Sequence, residues 1–202
     1  SPVFTSPAET LWDNPIVVDS AGSYMTDSGA IHIVRNSTPV GSGWTFHASR
    51  IALLVDPAVV VHVPSGNAVK WDVSADFLWL EGAFRVNATS AGIGDPYVGT
   101  LRFATIRNLD LGGEVGTSRH FIGLNGFWSG RLQNIQLHTQ VGGVFITGSV
   151  VPAGHNLVED IVLEDAALNV SAAVDSVYRR ITTTGDGAGA YFNGLLGESH
   201  VS

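Results

Sequence analysis

Acidic residues are the first candidates for chemistry in this sequence, and four of them lie within residues 159–165. Hydrolysis of a glycosidic bond needs two carboxyl groups roughly 5–9 Å apart on one face of the protein. Outward positions on stacked strands could supply such a pair from Asp110 on one coil and Glu164 or Glu159 two coils away. However, Gln136 and Val162 occupy the positions that correspond to Asp110 in the next two copies of a repeat described below. No two acids therefore face each other, so we expect a solvated acidic face and no catalytic residue.

A second set of polar residues recurs at equivalent positions. Asn108, Asn134 and Asp160 each take the second place of a pentapeptide that reads polar, Asn or Asp, apolar, variable, apolar. In stacked strands such side chains form a ladder at a corner and bond to neighbouring amides. This structural role explains the three residues without any catalysis.

Histidines are the candidates for a metal site. His32 and His62 each lie between two apolar residues, and His47 lies 15 positions from both. Alternation along a strand turns His32 and His62 outward if their Ile and Val neighbours point inward. That spacing would let three copies share an ion on a symmetry axis, but the sequence has no His-x-His pair and no HExxH motif. We expect histidines on an outer face or an interface, with no metal and no cofactor.

Trp79 and Trp128 are the tryptophans that could lie in a binding groove. Trp79 stands between Leu78 and Leu80, so alternation places it on the opposite face from both. If the leucines are buried, Trp79 contributes to a subunit interface or stacks on a sugar. If the leucines face outward, Trp79 fills the core instead.

The elements that must position these residues are short strands, because one apolar pattern recurs along the chain. Its copies are centred on Leu109, Ile135 and Ile161, at an interval of 26 residues both times, and a weaker copy follows at Ile181. Further copies precede them at Leu78, Ile51 and Ile31.

Variable spacing with a constant strand pattern is typical of stacked coils whose turns differ in length. We predict an all-β, right-handed parallel β-helix of six or seven coils over residues 29–202, with an irregular N-terminal arm or cap over residues 1–28. A β-sandwich or jelly roll is the alternative, although it does not predict the repeated interval.

Composition excludes several function classes. The formal net charge is −8, which argues against binding to nucleic acid or to anionic membranes. The sequence has no Cys, so it contains neither disulfides nor thiolate metal sites. It also lacks the GxxxxGK[ST] and GxSxG motifs. The first residues carry no basic and apolar signal regions, so we expect synthesis in the cytoplasm without a signal peptide.

The three regular copies, the lack of Cys and the Pro- and Ser-rich start resemble the β-helix proteins of tailed bacteriophage virions. These include tailspikes, receptor-binding spikes and capsid cement or decoration proteins. The resemblance covers residues 30–200 and is architectural. Because no family motif is matched, no functional residue is carried over. It implies a non-enzymatic virion protein that forms homotrimers and binds capsid or tail proteins.

Two other functions are compatible with the same features. One is a spike that binds or cleaves a host surface glycan, with Trp79, Trp128, Asp110 and Glu164 as the residues of its groove. The other is a surface module of a cellular bacterium.

Overall fold

The computed structural model describes most of the chain. The described residues are 16–19, 24–36, 43–64, 66–72, 74–86, 92–95, 99–113, 120–138, 142–148, 153–186, 188–193 and 199–202. Within them no helix is long and apolar enough to cross a membrane. All regular structure in this part of the chain is β-strand.

The strands are short and follow one another closely. In chain order they are Ile16–Asp19 (β1), Tyr24–Met25 (β2), Ala30–Val34 (β3), Trp44–Phe46 (β4), Ile51–Val55 (β5), Val60–Val63 (β6), Val69–Trp71 (β7), Ala75–Asp76 (β8), Leu78–Val86 (β9), Ile93–Asp95 (β10), Leu101–Arg102 (β11), Thr105–Gly113 (β12), His120–Asn125 (β13), Arg131–His138 (β14), Gly142–Thr147 (β15), Ala153–Gly154 (β16), Leu157–Glu164 (β17), Ala167–Ser171 (β18), Ala173–Val174 (β19), Val177–Thr184 (β20), Gly189–Asn193 (β21) and His200–Val201 (β22).

These strands stack into a parallel β-helix of about six turns, consistent with the right-handed form that we predicted. Sheet A runs β1-β3-β5-β9-β12-β14-β17-β20-β22, with β6 also pairing with β9. Sheet B runs β2-β4-β7-β10-β13-β15-β18-β21. A short third side consists of the pairs β8-β11 and β16-β19, which Trp128 links through single bridges. Because every described pair is parallel, the sandwich alternative is wrong.

The repeat sets the register in the second half of the chain. Leu109 pairs with Ile135, Ile135 with Ile161, and Ile161 with Ile181. Asp110 pairs with Gln136 and Gln136 with Val162, as the sequence pattern predicted. One apolar row therefore continues from coil to coil although the coils differ in length.

In the first half of the chain the predicted pairing of Ile51 with Leu78 is confirmed, but the predicted register is wrong on either side of it. Ile31 pairs with Ala52 and not with Ile51, so β3 is shifted by one residue. Leu109 pairs with Gly82, four residues beyond the predicted Leu78, and β12 has one extra residue relative to β9 between Ile106 and Leu109. A shift of one residue turns every side chain of a strand to the other face.

The β-helix also starts before the predicted boundary at residue 29. Strand β1 pairs with β3, and β2 pairs with β4, so residues 16–19 and 24–25 already contribute to sheets A and B. The β-branched run of β1 is only four residues long, which made it inconspicuous among the prolines and serines around it. Residues 1–15 of the predicted arm lie outside the described residues.

The core is one continuous apolar column enclosed by the three sides. Its widest side chains include Trp44, Phe46, Phe84 and Phe127, none of which is more than 1% exposed. A second, smaller cluster lies on the outer face of sheet A and consists of Ile31, Ile33, Ala52, Leu54 and Trp79. Strands β3 and β5 are therefore buried on both faces, which explains why β5 has an unbroken apolar sequence.

Candidate functional site

The polar ladder runs along the outer face of sheet A. Asn108, Asn134, Asp160 and Arg180 occupy equivalent places in β12, β14, β17 and β20, and all have left-handed backbones with φ between 48° and 57°. We name these four residues the ladder column. We predicted that the ladder lies at a corner. The inward residues Ile106 and Leu109 are three positions apart, so the alternation of β12 breaks at the ladder residue and the strand bends there. Asn and Asp tolerate a left-handed backbone better than most residues, and this accounts for their recurrence.

Side-chain bonds connect the ladder column in pairs. The Asn134 amide donates to Asn108 Oδ1 at 2.8 Å, and Arg180 donates to both carboxylate oxygens of Asp160 at 2.6 and 2.9 Å. Arg180 thereby lowers the pKa of the Asp160 carboxyl. The side-chain amide of Asn108 donates a hydrogen bond to Glu81 Oε2 at 3.3 Å.

A second row of charges lies beside the ladder column. Arg107, Gln133, Glu159 and Arg179 are in register, one on each coil. Glu159 accepts bonds from the Gln133 amide at 2.5 Å and from Arg179 at 2.6 Å. The Gln133 amide and the two guanidinium groups of Arg179 and Arg180 lower the pKa of the Glu159 carboxyl, against the opposing effect of its burial. The Glu159 carboxylate is therefore charged, and it accepts hydrogen bonds from all three of these side chains.

A cleft of about 470 Å³ opens on the same face, next to the ladder column. Strand β5 ends at Val55 and β6 resumes at Val60, so the turn between them forms one wall. The extra residue of β12, between Ile106 and Leu109, lies on the other side of the cleft. The polar groups that line the cleft are Glu81, Asn108, Asp110, Asn134 and Gln136.

Both acids of the cleft already have cationic partners. Arg85 binds Asp110 through two parallel bonds of 3.0 and 3.1 Å. Glu81 accepts from Arg107 Nε at 2.5 Å and from the indole of Trp79 at 2.9 Å. Each carboxylate therefore already accepts hydrogen bonds from N–H donors of the protein.

Asp110 and Glu164 are brought near each other by a residue that the sequence did not single out. His138 Nδ1 lies 2.7 Å from Glu164 Oε2, and His138 Nε2 lies 3.7 Å from Asp110 Oδ1. All three side chains are partly exposed on the outer face of sheet A. His138 thus bridges two candidates that come from strands two coils apart.

The two candidate tryptophans lie on different sides of the β-helix. Trp79 faces outward, opposite to Leu78 and Leu80, but it is only 4% exposed because it packs in the outer cluster. The guanidinium of Arg107 also lies 4.9 Å from its ring centre. A sugar therefore has no access to the ring. Trp128 lies on the third side, so the four predicted groove residues do not form one groove.

Trp128 belongs to a corner that carries other aromatic residues. Its ring is 4.6 Å from that of His155 in an edge-to-face arrangement. Nearby, the rings of Phe77 and Phe103 stack at 5.1 Å, although these side chains are 37% and 44% exposed. The guanidinium of Arg50 lies 6.0 Å from the centre of the Phe77 ring.

A column of residues with left-handed backbones runs along this corner. The corner column consists of Arg50, Phe77, Phe103, Ser129, His155 and Asp175. A left-handed backbone costs a bulky side chain on the order of 1–2 kcal/mol. Sequence reasoning missed the column, although Phe103 follows Phe77 by the same 26 residues as the main repeat.

The histidines of the first coils differ from one another. His62 pairs with Arg85 on the outer row of sheet A, as expected. His47 lies 2.6 Å from Asp72. His32 was expected to face outward, but the shifted register of β3 places it in line with the core residue Leu53. In the part of the chain that is described, no three His, Asp or Glu side chains are grouped so that they could hold a metal ion.

Comparison with known proteins identifies no relative. No protein-family model matches the chain, and no curated protein or solved structure matches it either.

Proposed function

We propose that this protein is a structural component of a tailed-bacteriophage virion that assembles as a homotrimer and binds other virion proteins. It would act as a capsid decoration or cement protein or as a part of a tailspike, made in the host cytoplasm and incorporated into the particle. The observation that carries the proposal is the exposed stack of Phe77 and Phe103 on the corner column. The link to a virion rests on the resemblance of the repeat.

The aromatic stack favours a second copy of this chain as its partner. In a trimer of parallel helices, the same corner of each copy lies at the same height around the axis. Phe77 and Phe103 would then pack against their symmetry mates and lose their exposure to water. Next to them, Arg102 binds Asp76 at 2.7 and 2.6 Å, which provides the polar rim of such an interface.

The charged groups of sheet A support a scaffold role. Glu81, Asp110, Glu159 and Asp160 all accept hydrogen bonds from Arg side chains in neighbouring coils. Such bonds fix one coil on the next and satisfy the acids. Carboxylates used in this way hold the stack in register.

Light scattering of the purified protein tests the assembly. We expect three times the mass of one chain, and one chain mass for the double variant Phe77→Ser with Phe103→Ser at unchanged circular dichroism. Val162→Ser is the matched control, because Val162 is 41% exposed on another face. A wild-type mass of one chain would overturn the homotrimer. Antibody labelling of purified phage particles tests the location, and unlabelled particles would overturn the virion role.

A second candidate function is the binding of a host surface glycan in the cleft of sheet A. Side-chain amides and carboxylates are suited to the hydroxyl groups of sugars, and the cleft presents Asn134, Gln136 and Asp110 together. Val55, Pro57 and Val59 form an apolar wall against which a sugar ring could pack.

Titration with host polysaccharide separates the two candidates. Binding that is lost in Asn134→Ala and Gln136→Ala, but kept in Asn169→Ala on sheet B, supports glycan recognition. Release of oligosaccharides would show that the glycan is also cleaved. An absence of binding with wild-type protein excludes this second function and leaves the first one standing.

A further inference from the structure

His32 lies inside the β-helix near its N-terminal end. It pairs with Val18 on one side and with Leu53 on the other, and Leu53 pairs with Leu80. Leu53 and Leu80 both belong to the main core. His32 itself is only 7% exposed. A titratable ring thus occupies a position that is leucine in each of the next two coils.

The imidazole of His32 has no hydrogen-bond partner among the described residues. There neither Nδ1 nor Nε2 is bonded, although both nitrogens are shielded from water. A neutral imidazole with both nitrogens unsatisfied is costly, but a protonated ring must place two donors and a full charge in the same apolar space. The site therefore accepts only the neutral ring.

The charged groups around His32 do not alter this conclusion. Burial lowers the pKa of His32, and the carboxylate of Asp27 opposes this effect more weakly. The strands β3 and β5 carry no other charged side chain, and in β1, the other neighbour of β3, the acid Asp19 pairs with Ile33 of the outer row and not with His32. On the opposite side of the core, β4 also contributes only uncharged residues, and in β2 Met25 is apolar.

We propose that His32 makes the N-terminal coils of the β-helix open in mild acid, because its protonation expels β3 from the stack. The unfolded segment takes up a proton at about pH 6.5, whereas the folded site resists it. The stability of the segment is therefore fully present above this pH and is lost as the pH falls below it.

Opening would change the surface of the protein as well as its stability. When β3 leaves, β5 becomes the edge of sheet A, with unpaired backbone groups along Ile51–Val55. An apolar edge strand is prone to pair with a strand of another chain. The exposed edge would give the protein a surface that pairs with another chain only in acid. This inference does not depend on the proposed virion role.

Hydrogen exchange of the whole protein at about pH 7.5 and about pH 5 tests the proposal, with rates corrected for intrinsic pH dependence. We expect the protection of β3 and β5 to fall about tenfold or more in acid, while β14 and β17 keep theirs. His32→Leu should abolish the fall, and His32→Met serves if the leucine variant folds poorly. The outward His62→Leu is the matched control and should behave as wild type.

Two results would overturn the inference. One is equal protection of β3 at both pH values in the wild-type protein. The other is an acid-dependent loss that persists in both His32 variants, since the responsible group would then lie elsewhere. Neither result bears on the trimer or on the virion role.

Discussion

The amide of Asn134 donates to Asn108 Oδ1 across 2.8 Å, and the two residues lie on successive coils with left-handed backbones. One residue type thus satisfies two demands at once. Its backbone tolerates the bend in the strand, and its side chain connects the coil to the preceding one.

Replacement of Asn134 separates these two demands. Asn134→Gly keeps the left-handed backbone and loses the side-chain bond, so we expect a loss of about 1 kcal/mol in the free energy of unfolding. Asn134→Val loses both and should cost about 2–3 kcal/mol. Urea denaturation of the three proteins measures the difference. A valine variant as stable as the glycine variant would contradict the role assigned to the backbone.

The inward row of sheet A should be most sensitive at its centre. Ile135 is fully buried between Leu109 and Ile161, whereas Ile181 is only partly buried. We expect Ile135→Ala to lower the free energy of unfolding by about 2–5 kcal/mol, and Ile181→Ala to lower it clearly less. Thermal denaturation compares the two variants, and equal losses would argue against a continuous central core.

Gly82 permits the close contact on which the cleft depends. A Cβ atom at this position would lie 2.5 Å from Cγ2 of Val55. We expect Gly82→Ala to cost about 1–3 kcal/mol through this clash, and Val55→Ala in the same chain to recover part of the loss. A double-mutant cycle in urea measures the coupling between the two sites. Strictly additive effects would show that the side chain of Val55 is not what excludes a larger residue.

Glu159 should contribute stability that disappears in acid. The Gln133 amide and the Arg179 and Arg180 guanidinium groups lower its pKa in the folded state. The contribution is therefore present above the unfolded value of about 4.3 and is lost as the pH falls through the folded value. We expect Glu159→Gln to be less stable than wild type at neutral pH and to approach it near pH 3. A stability difference that is the same at both pH values would contradict this account.

The sequence predicted the fold where the repeat is regular and failed where it is not. The spacing of Leu109, Ile135 and Ile161 predicted the correct register, because the two coils between them have the same total of 26 residues although their individual turns differ. At Ile31 the spacing was misread by one residue, and this turned His32 from the core to the surface in the prediction. Apolar residues on both faces of β3 and β5 had removed the alternation that identifies the inner side.

The candidate site was only partly accessible from the sequence. The ladder residues were identified because Asn or Asp recurs at one position of the repeat, and Asp110 was identified from its outward position in one copy. The contacts of Arg85 and His138 with Asp110 join different columns and depend on the register of separate coils. The burial of Trp79 was likewise unpredictable, since it depends on an apolar cluster outside the main core.

The two left-handed columns make the β-helix a molecular ruler. Coils of different length still place one residue of each column at every step, and the step between paired strands is about 4.8 Å. A loop can lengthen or shorten without moving that residue along the axis. Side chains introduced at positions of the corner column would accordingly be spaced evenly along the axis of the β-helix, and each position could carry a different side chain.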